Sequence, residues 1–188
     1  GLIIAGDPGT GMALALADPG LQEATPWLDA VRDAMYARSV EELDQALSRW
    51  TDRVNNYAVA DVQGHFGYLH AGRIPIRPEA NGWCAVPGWT GEHEWQGYIP
   101  HAELPRALDP EAGYAVTCNQ RVAGADYPYY VGLLFAPQHR ARQVQRHLLE
   151  LQERGGVTLG DMARIHAECG SLPARVFTRA LLGVAPLD

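Results

Sequence analysis

Between Gly72 and Pro105 the chain meets Pro75, Pro78, Pro87, Pro100 and Pro105, with Gly88, Gly91 and Gly97 among them. That punctuation excludes a helix from Gly72–Pro78 and marks the stretch after it as loop-rich. Proline lacks the amide hydrogen a helix needs and restricts the residue before it to extended conformations. Pro75 and Pro78 therefore keep Gly72–Pro78 extended. Beyond them, Trp83, Trp89, Trp95 and Tyr98 pin a loop-rich segment. Two readings of these rings stand side by side. They replace regular structure as a local core, or they stack on a sugar or aromatic ligand. Arg73 and Arg77 are likewise open: solvated surface, or cations that pair with acids along a cleft.

On either side of this segment the patterns are regular. Leu2–Ala5 and Met12–Leu16 flank a Gly/Pro turn and predict a β-hairpin. The turn lacks G-x-x-x-x-G-K-[ST] and precedes a strand, so it is not a phosphate loop. Residues 25–38 predict a helix, with Thr25 as cap, Pro26 in the first turn, and Leu28, Val31 and Met35 on one face. Ser39–Glu42 is an S-x-x-E capping box opening a second helix with Val40, Leu43, Leu47 and Trp50 inward. Asn55–Val62 and His65–Ala71 predict a hairpin turning near Gln63-Gly64. The last third predicts three helices. The first runs from His139 to about Arg154, carries Val144, Leu148 and Leu151, and is stopped by Gly155-Gly156. The second starts at Thr158/Asp161 with Met162, Ile165 and Cys169 inward. The third is capped by Ser171 and ended by Gly183. The fold class is α+β, with a strand- and loop-rich middle and a helical C-terminal third.

The composition limits function. The chain has 188 residues and a net charge of −7, with 15 arginines and no lysine. No basic run offsets the acidity, so a nucleic-acid partner is not expected. Cys84, Cys118 and Cys169 form no C-x-x-C, which excludes zinc-ribbon and thioredoxin motifs. His93 and His101 show neither H-E-x-x-H nor H-x-H spacing, so no metal site is expected. No apolar run reaches the roughly 18–20 residues of a membrane span.

Gly113–Arg121 combines a short strand, Tyr114–Thr117, with a polar turn, Asn119-Gln120-Arg121. Polar side chains at the end of a buried strand suit a site. They equally suit a strand-end turn in which Asn119 bonds its own backbone.

Four phrases occur in order over residues 41–150: Ala60–Tyr68 (ADVQGHFGY), Gly72–Arg77 (GRIPIR), Val86–Pro100 (VPGWTGEHEWQGYIP), and Thr117–Arg121 followed by Asp126-Tyr127-Pro128. Together they resemble the penicillin acylase (penicillin amidase) family of N-terminal-nucleophile hydrolases. The resemblance implies part of an αββα sandwich. It implies an amide hydrolase that removes acyl groups from N-acyl amines such as penicillins or N-acyl homoserine lactones. A serine at a self-generated chain start attacks, and its own α-amino group serves as base, with an ordinary pKa of about 7.7–8.0. The family's oxyanion-hole asparagine falls on Asn119, and the arginine supporting it falls on Arg140. Gln120 stands where a second asparagine is usual. Residue 1 is glycine and supplies no nucleophile. The expectation is thus a single partial domain, 1–188, internal to a large catalytic chain and inactive alone. Its partners would be a small N-acyl amine substrate, the remainder of that chain, a small α chain, and its own copies through uncovered faces. No cofactor is expected in this piece. The family's calcium-binding acids mostly lie outside this piece, and Val131 occupies a position where a calcium-ligating aspartate is expected, so the resemblance leaves calcium open for the full enzyme and does not extend it to this piece. The family's location is periplasmic or secreted.

Overall fold

A computed structural model describes residues 1–22 and 26–184, so the expected cap Thr25 lies outside the described residues. The chain divides into two units. The first comprises residues 1–115 and 122–134, the second residues 116–121 and 135 onward.

In the first unit, β1 (Leu2–Asp7) and β2 (Met12–Leu16) form the expected antiparallel hairpin. Asp7 shapes its turn by accepting from Gly9 N (2.9 Å) and from the Thr10 hydroxyl. Both faces are exposed, including Leu2, Ile3, Ile4, Met12 and Leu14. A bare two-stranded hairpin is marginal in water, so these side chains are suited to being covered. After a single turn, α1 (Pro19–Gln22), come α2 (Trp27–Tyr36) and α3 (Val40–Leu47).

The expected inward face of α2 is corrected. Leu28, Val31 and Met35 are exposed, Met35 by 80%, and Ala30 is the buried residue. Arg49 is the reason. It bonds Asp29 (3.0 Å) and Asp33 (2.7 Å), turning that side of α2 toward α3. Trp27 meets Trp50 edge to face at 5.9 Å. The face expected for α3 is the one observed: Val40 and Leu47 are buried with Val59, Leu69 and Ala71, and Leu43, Trp50 and Tyr57 pack around them. Ser39 caps α3 by accepting from Glu42 N, but Glu42 reaches back to Arg38 N instead of closing the box.

β3 (Asn55–Ala60) and β4 (Phe66–Ala71) form the second hairpin. Asp61 holds its turn through Gln63 N and His65 N, and its other oxygen accepts from Val40 N at the start of α3. A strand the sequence did not announce, β5 (Arg106–Leu108), pairs with β4 and completes a three-stranded antiparallel sheet. Gly67 permits this pairing, because a Cβ there would run into the Ala107 carbonyl.

The segment 74–76 is extended as expected and pairs with 96–99. Ile74, Ile99 and Leu104 form a second apolar cluster, packed by Ile76, Tyr129 and Val131. Arg73 and Arg77 are half-buried, each over an aromatic ring: Arg73 above Tyr98 (5.2 Å) and Arg77 above Tyr130 (5.8 Å). Neither is plain solvated surface. The local-core reading holds for Trp95, which packs edge to face on Tyr98. It fails for Trp83 and Trp89, which are exposed. Gly88 and Gly91 beside Trp89 face open space as well, with no atom within 4 Å of where a Cβ would lie.

The second unit carries α4 (His139–Arg154), α5 (Leu159–Ala167) and α6 (Leu172–Leu182), close to the expected bounds. Gly155 (φ +74°) ends α4, the Thr158/Asp161 capping box opens α5, and Ser171 caps α6. Val144, Leu148, Leu151, Met162 and Ile165 are half-buried. Cys169 is exposed, contrary to expectation, because α5 stops at Ala167 before the helical period can carry it inward.

Asp161 is 2% exposed and ties α4 to α5. It accepts two bonds from Arg154 (3.0 and 2.7 Å), others from Thr158, and one from Arg164. The Arg154 guanidinium, with Thr158, holds its carboxyl well below the usual carboxylate range. A depressed folded value means the stabilisation is fully present above the unfolded value, about 3.9, and is lost as pH falls through the folded value. Asp161→Asn is therefore expected to lower the thermal unfolding midpoint by several degrees at neutral pH. The gap from the unsubstituted chain should narrow steadily below about pH 4. Circular dichroism melts across pH 2–7 measure this, and a gap independent of pH would contradict it.

Candidate functional site

The stretch 116–121 belongs to the second unit, against the start of α4. Tyr114–Thr117 is not a strand, which corrects the expectation from its β-forming residues. Instead, its end is held by its own side chains. Gln120 Oε1 accepts from Cys118 N (2.6 Å), and Gln120 Nε2 donates to Val116 O (3.0 Å). A carboxamide carries one acceptor and one donor group, as a peptide does. It can thus satisfy a carbonyl and an amide that a neighbouring strand would otherwise take.

Asn119, at the tip, has φ +63°, in the left-handed region. Asparagine is one of the few non-glycine residues that visit it routinely. Its carbonyl accepts from Ala136 N (2.8 Å), pinning the tip to the residues that lead into α4. Arg121 stacks over Phe135 (5.8 Å) and adds a second fastening.

Arg140, the second residue of α4, completes the arrangement. Its Nη2 donates to Cys118 O (2.7 Å) and to Asn119 Oδ1 (2.8 Å). A guanidinium has only donors, so the amide atom facing it must be the oxygen. That fixes the carboxamide's orientation: Oδ1 toward Arg140, the Nδ2 hydrogens away from it. The result is an exposed N–H donor beside a cation, held on a fastened loop. Such a donor suits an oxygen that is gaining negative charge. The two candidate site residues are therefore in direct contact. The reading in which Asn119 bonds only its own backbone does not describe this side chain.

The remaining candidates have other surroundings. In the first unit, His101 Nε2 bonds Asp44 (2.8 Å), which also binds Arg106. His93 offers its carbonyl to Asn81 Nδ2 (2.8 Å). Among the described residues, no group of three or more His, Cys, Asp and Glu could hold a metal ion. Val131 packs on the Ile74 cluster and has no side-chain oxygen for calcium. The three cysteines are free, and among the described residues no helix is long and apolar enough to cross a membrane. The fastening of the loop by Gln120 was missed from sequence. A glutamine within the polar turn was the signal, and it does not distinguish this role from solvated surface.

The penicillin amidase family model matches residues 1–188. The chain is 37% identical over 193 aligned residues to penicillin acylase 2 proenzyme of a Pseudomonas species, covering all of this chain and 24% of that protein. It is 35% identical over 119 residues to the acyl-homoserine lactone acylase QuiP of Pseudomonas fluorescens, covering 63% of this chain and 14% of that one. The fold is similar to thermostable penicillin G acylase from Alcaligenes faecalis, with a TM-score of 0.66 and 22% identity over 79% of this chain and 27% of that chain. The chain thus spans about a quarter or less of the length of these relatives.

Proposed function

This chain belongs to the penicillin amidase family, and from that premise we propose that it is the oxyanion-hole segment of an N-terminal-nucleophile acylase. It contributes the asparagine donor and not the nucleophile. A serine at the start of a processed chain, outside these residues, attacks the acyl carbon of the substrate amide. Its α-amino group takes the hydroxyl proton and later delivers one to the leaving amine. As the carbonyl oxygen becomes an oxyanion, Asn119 Nδ2 donates to it. Arg140 keeps the carboxamide from turning its oxygen toward that charge. The observation that carries the reading is the pair of bonds from Arg140 Nη2 to Cys118 O and Asn119 Oδ1.

The substrate class is an N-acyl amine. The names of the relatives, penicillin acylase and acyl-homoserine lactone acylase, support penicillins and N-acyl homoserine lactones as the first to try. The word proenzyme in one of those names supports processing into chains. A small α chain and the rest of the catalytic chain are then the partners, and the periplasm or the exterior is the location. The exposed apolar residues of β1–β2 and α2 are suited to covering by those partners. On this reading the 188 residues are one partial domain of the larger chain.

The test is amine release from a panel of an aryl-acetyl penicillin and N-acyl homoserine lactones. The full-length protein is expected to turn over at least one of them, and the isolated 188-residue chain none. Turnover by the isolated chain, or none by the full-length protein across N-acyl amines, would overturn the proposal. A second reading, a non-catalytic binding surface, draws on the exposure of Trp83 and Trp89. It predicts ligand-sensitive tryptophan fluorescence that persists when hydrolysis is abolished.

A further inference from the structure

We propose that Gln120 is a positioning residue for amide hydrolysis, acting through Asn119. The inference rests on the reading of Asn119 as the oxyanion donor and adds a residue to it. Three hydrogen-bonded fastenings converge on a short loop. Arg140 holds the Cys118 carbonyl and the Asn119 side-chain oxygen. Ala136 N holds the Asn119 carbonyl. Gln120 holds the other side of the same backbone, through Cys118 N and Val116 O.

The division of labour follows from what each can reach. Arg140 fixes the rotation of the Asn119 carboxamide but only one side of the Cys118 peptide chain. Without Gln120, Cys118 N and Val116 O would turn to water, and the backbone before Asn119 could swing while Arg140 stayed in place. Asn119 is held in the left-handed region, where few residues rest unaided. Its Nδ2 position therefore depends on the backbone on both sides of it. Donor placement in an oxyanion hole is sensitive to small displacements, so a loosened loop should cost rate at the chemical step and leave binding alone. Both ends of the Gln120 carboxamide are used, an acceptor toward Cys118 N and a donor toward Val116 O. Glutamate lacks the donor. Asparagine, one methylene shorter, has less reach to span both groups.

The experiment is a double-mutant cycle in the full-length protein, reading kcat and KM for amine release together with thermal unfolding. Gln120→Ala is expected to lower kcat by about 10-fold or more, with KM within about twofold. Gln120→Met, which keeps the side-chain length and removes both hydrogen bonds, is expected to do the same and serves if the alanine variant folds poorly. Because Gln120 acts through Asn119, the Asn119→Ala/Gln120→Ala double variant is expected to be no slower than Asn119→Ala alone. Loss equal to the product of the two single losses would overturn the proposal, since Gln120 would then act elsewhere. Gln120→Ala and Gln120→Met with unchanged kcat, beside a slow Asn119→Ala, would overturn it while leaving the Asn119 reading intact. Unchanged kcat in Asn119→Ala would remove the reading on which it rests.

Discussion

Asn119→Ala is expected to lower the kcat of the full-length protein for amide hydrolysis by about 10²–10³-fold, with KM changed far less. The asymmetry follows from what the donor meets. On the proposed function, Nδ2 faces a neutral carbonyl oxygen in the bound substrate. In the transition state it faces a developing oxyanion, and only the difference between the two accelerates the reaction. Alanine also sits less comfortably at φ +63° than asparagine does, so backbone strain has to be separated from donor loss. Asn119→Gly accepts that φ without strain and lacks the donor. It is therefore expected to be as slow as Asn119→Ala while melting closer to the unsubstituted protein. Steady-state kinetics with calorimetric melts on the three proteins check this. A glycine variant with near-normal kcat would show that the alanine effect was strain.

Arg140→Ala is expected to lower kcat by roughly 10–100-fold. Its guanidinium nitrogen supplies the bonds to Cys118 O and Asn119 Oδ1. Once it is gone the carboxamide is free to rotate, and on the proposed function part of the population would present oxygen, not N–H, to the substrate. Arg140→Lys is expected to recover part of the rate, since an ammonium has three donors and keeps the positive charge, although its reach and geometry differ. The ordering of kcat, arginine above lysine above alanine, is the quantity to measure. Equal rates for lysine and alanine would mean that the charge and the donors at this position do not orient Asn119.

The parts of the fold legible in the sequence were those whose causes are local. Gly155 and the caps at Thr158/Asp161 and Ser171 lie at or beside the helix ends they set, and α4, α5 and α6 fall close to where those residues put them. The inward side of α2 was not legible, because it is set by Arg49, which grips Asp33 from 16 residues away. β5 spans three residues and has no run of pattern to reveal it. Tyr114–Thr117 has strand-forming side chains, yet part of its hydrogen bonding goes to the side chain of Gln120, which no periodicity can announce. The site divides in the same way. Asn119 and Arg140 are 21 residues apart, and no spacing rule joins them. The phrase Thr117–Arg121, shared with a known family, pointed to Asn119; Arg140 lies outside the phrases and was reached only through the register of the helix that follows, and the geometry adds which atom of the carboxamide faces the cation.

If Asn119 works through its Nδ2 donor, Asn119→Asp must be slow. Aspartate is nearly isosteric, tolerates the left-handed backbone, and still offers Arg140 an oxygen to bond. It replaces the N–H donor with a negatively charged oxygen, which repels the developing oxyanion. Single-turnover rates of acyl transfer in the full-length protein should therefore fall at least as far for Asn119→Asp as for Asn119→Ala, with the fold retained. If Asn119→Asp kept near-normal single-turnover rates, Asn119 would be an anchor for Arg140 and not an oxyanion donor.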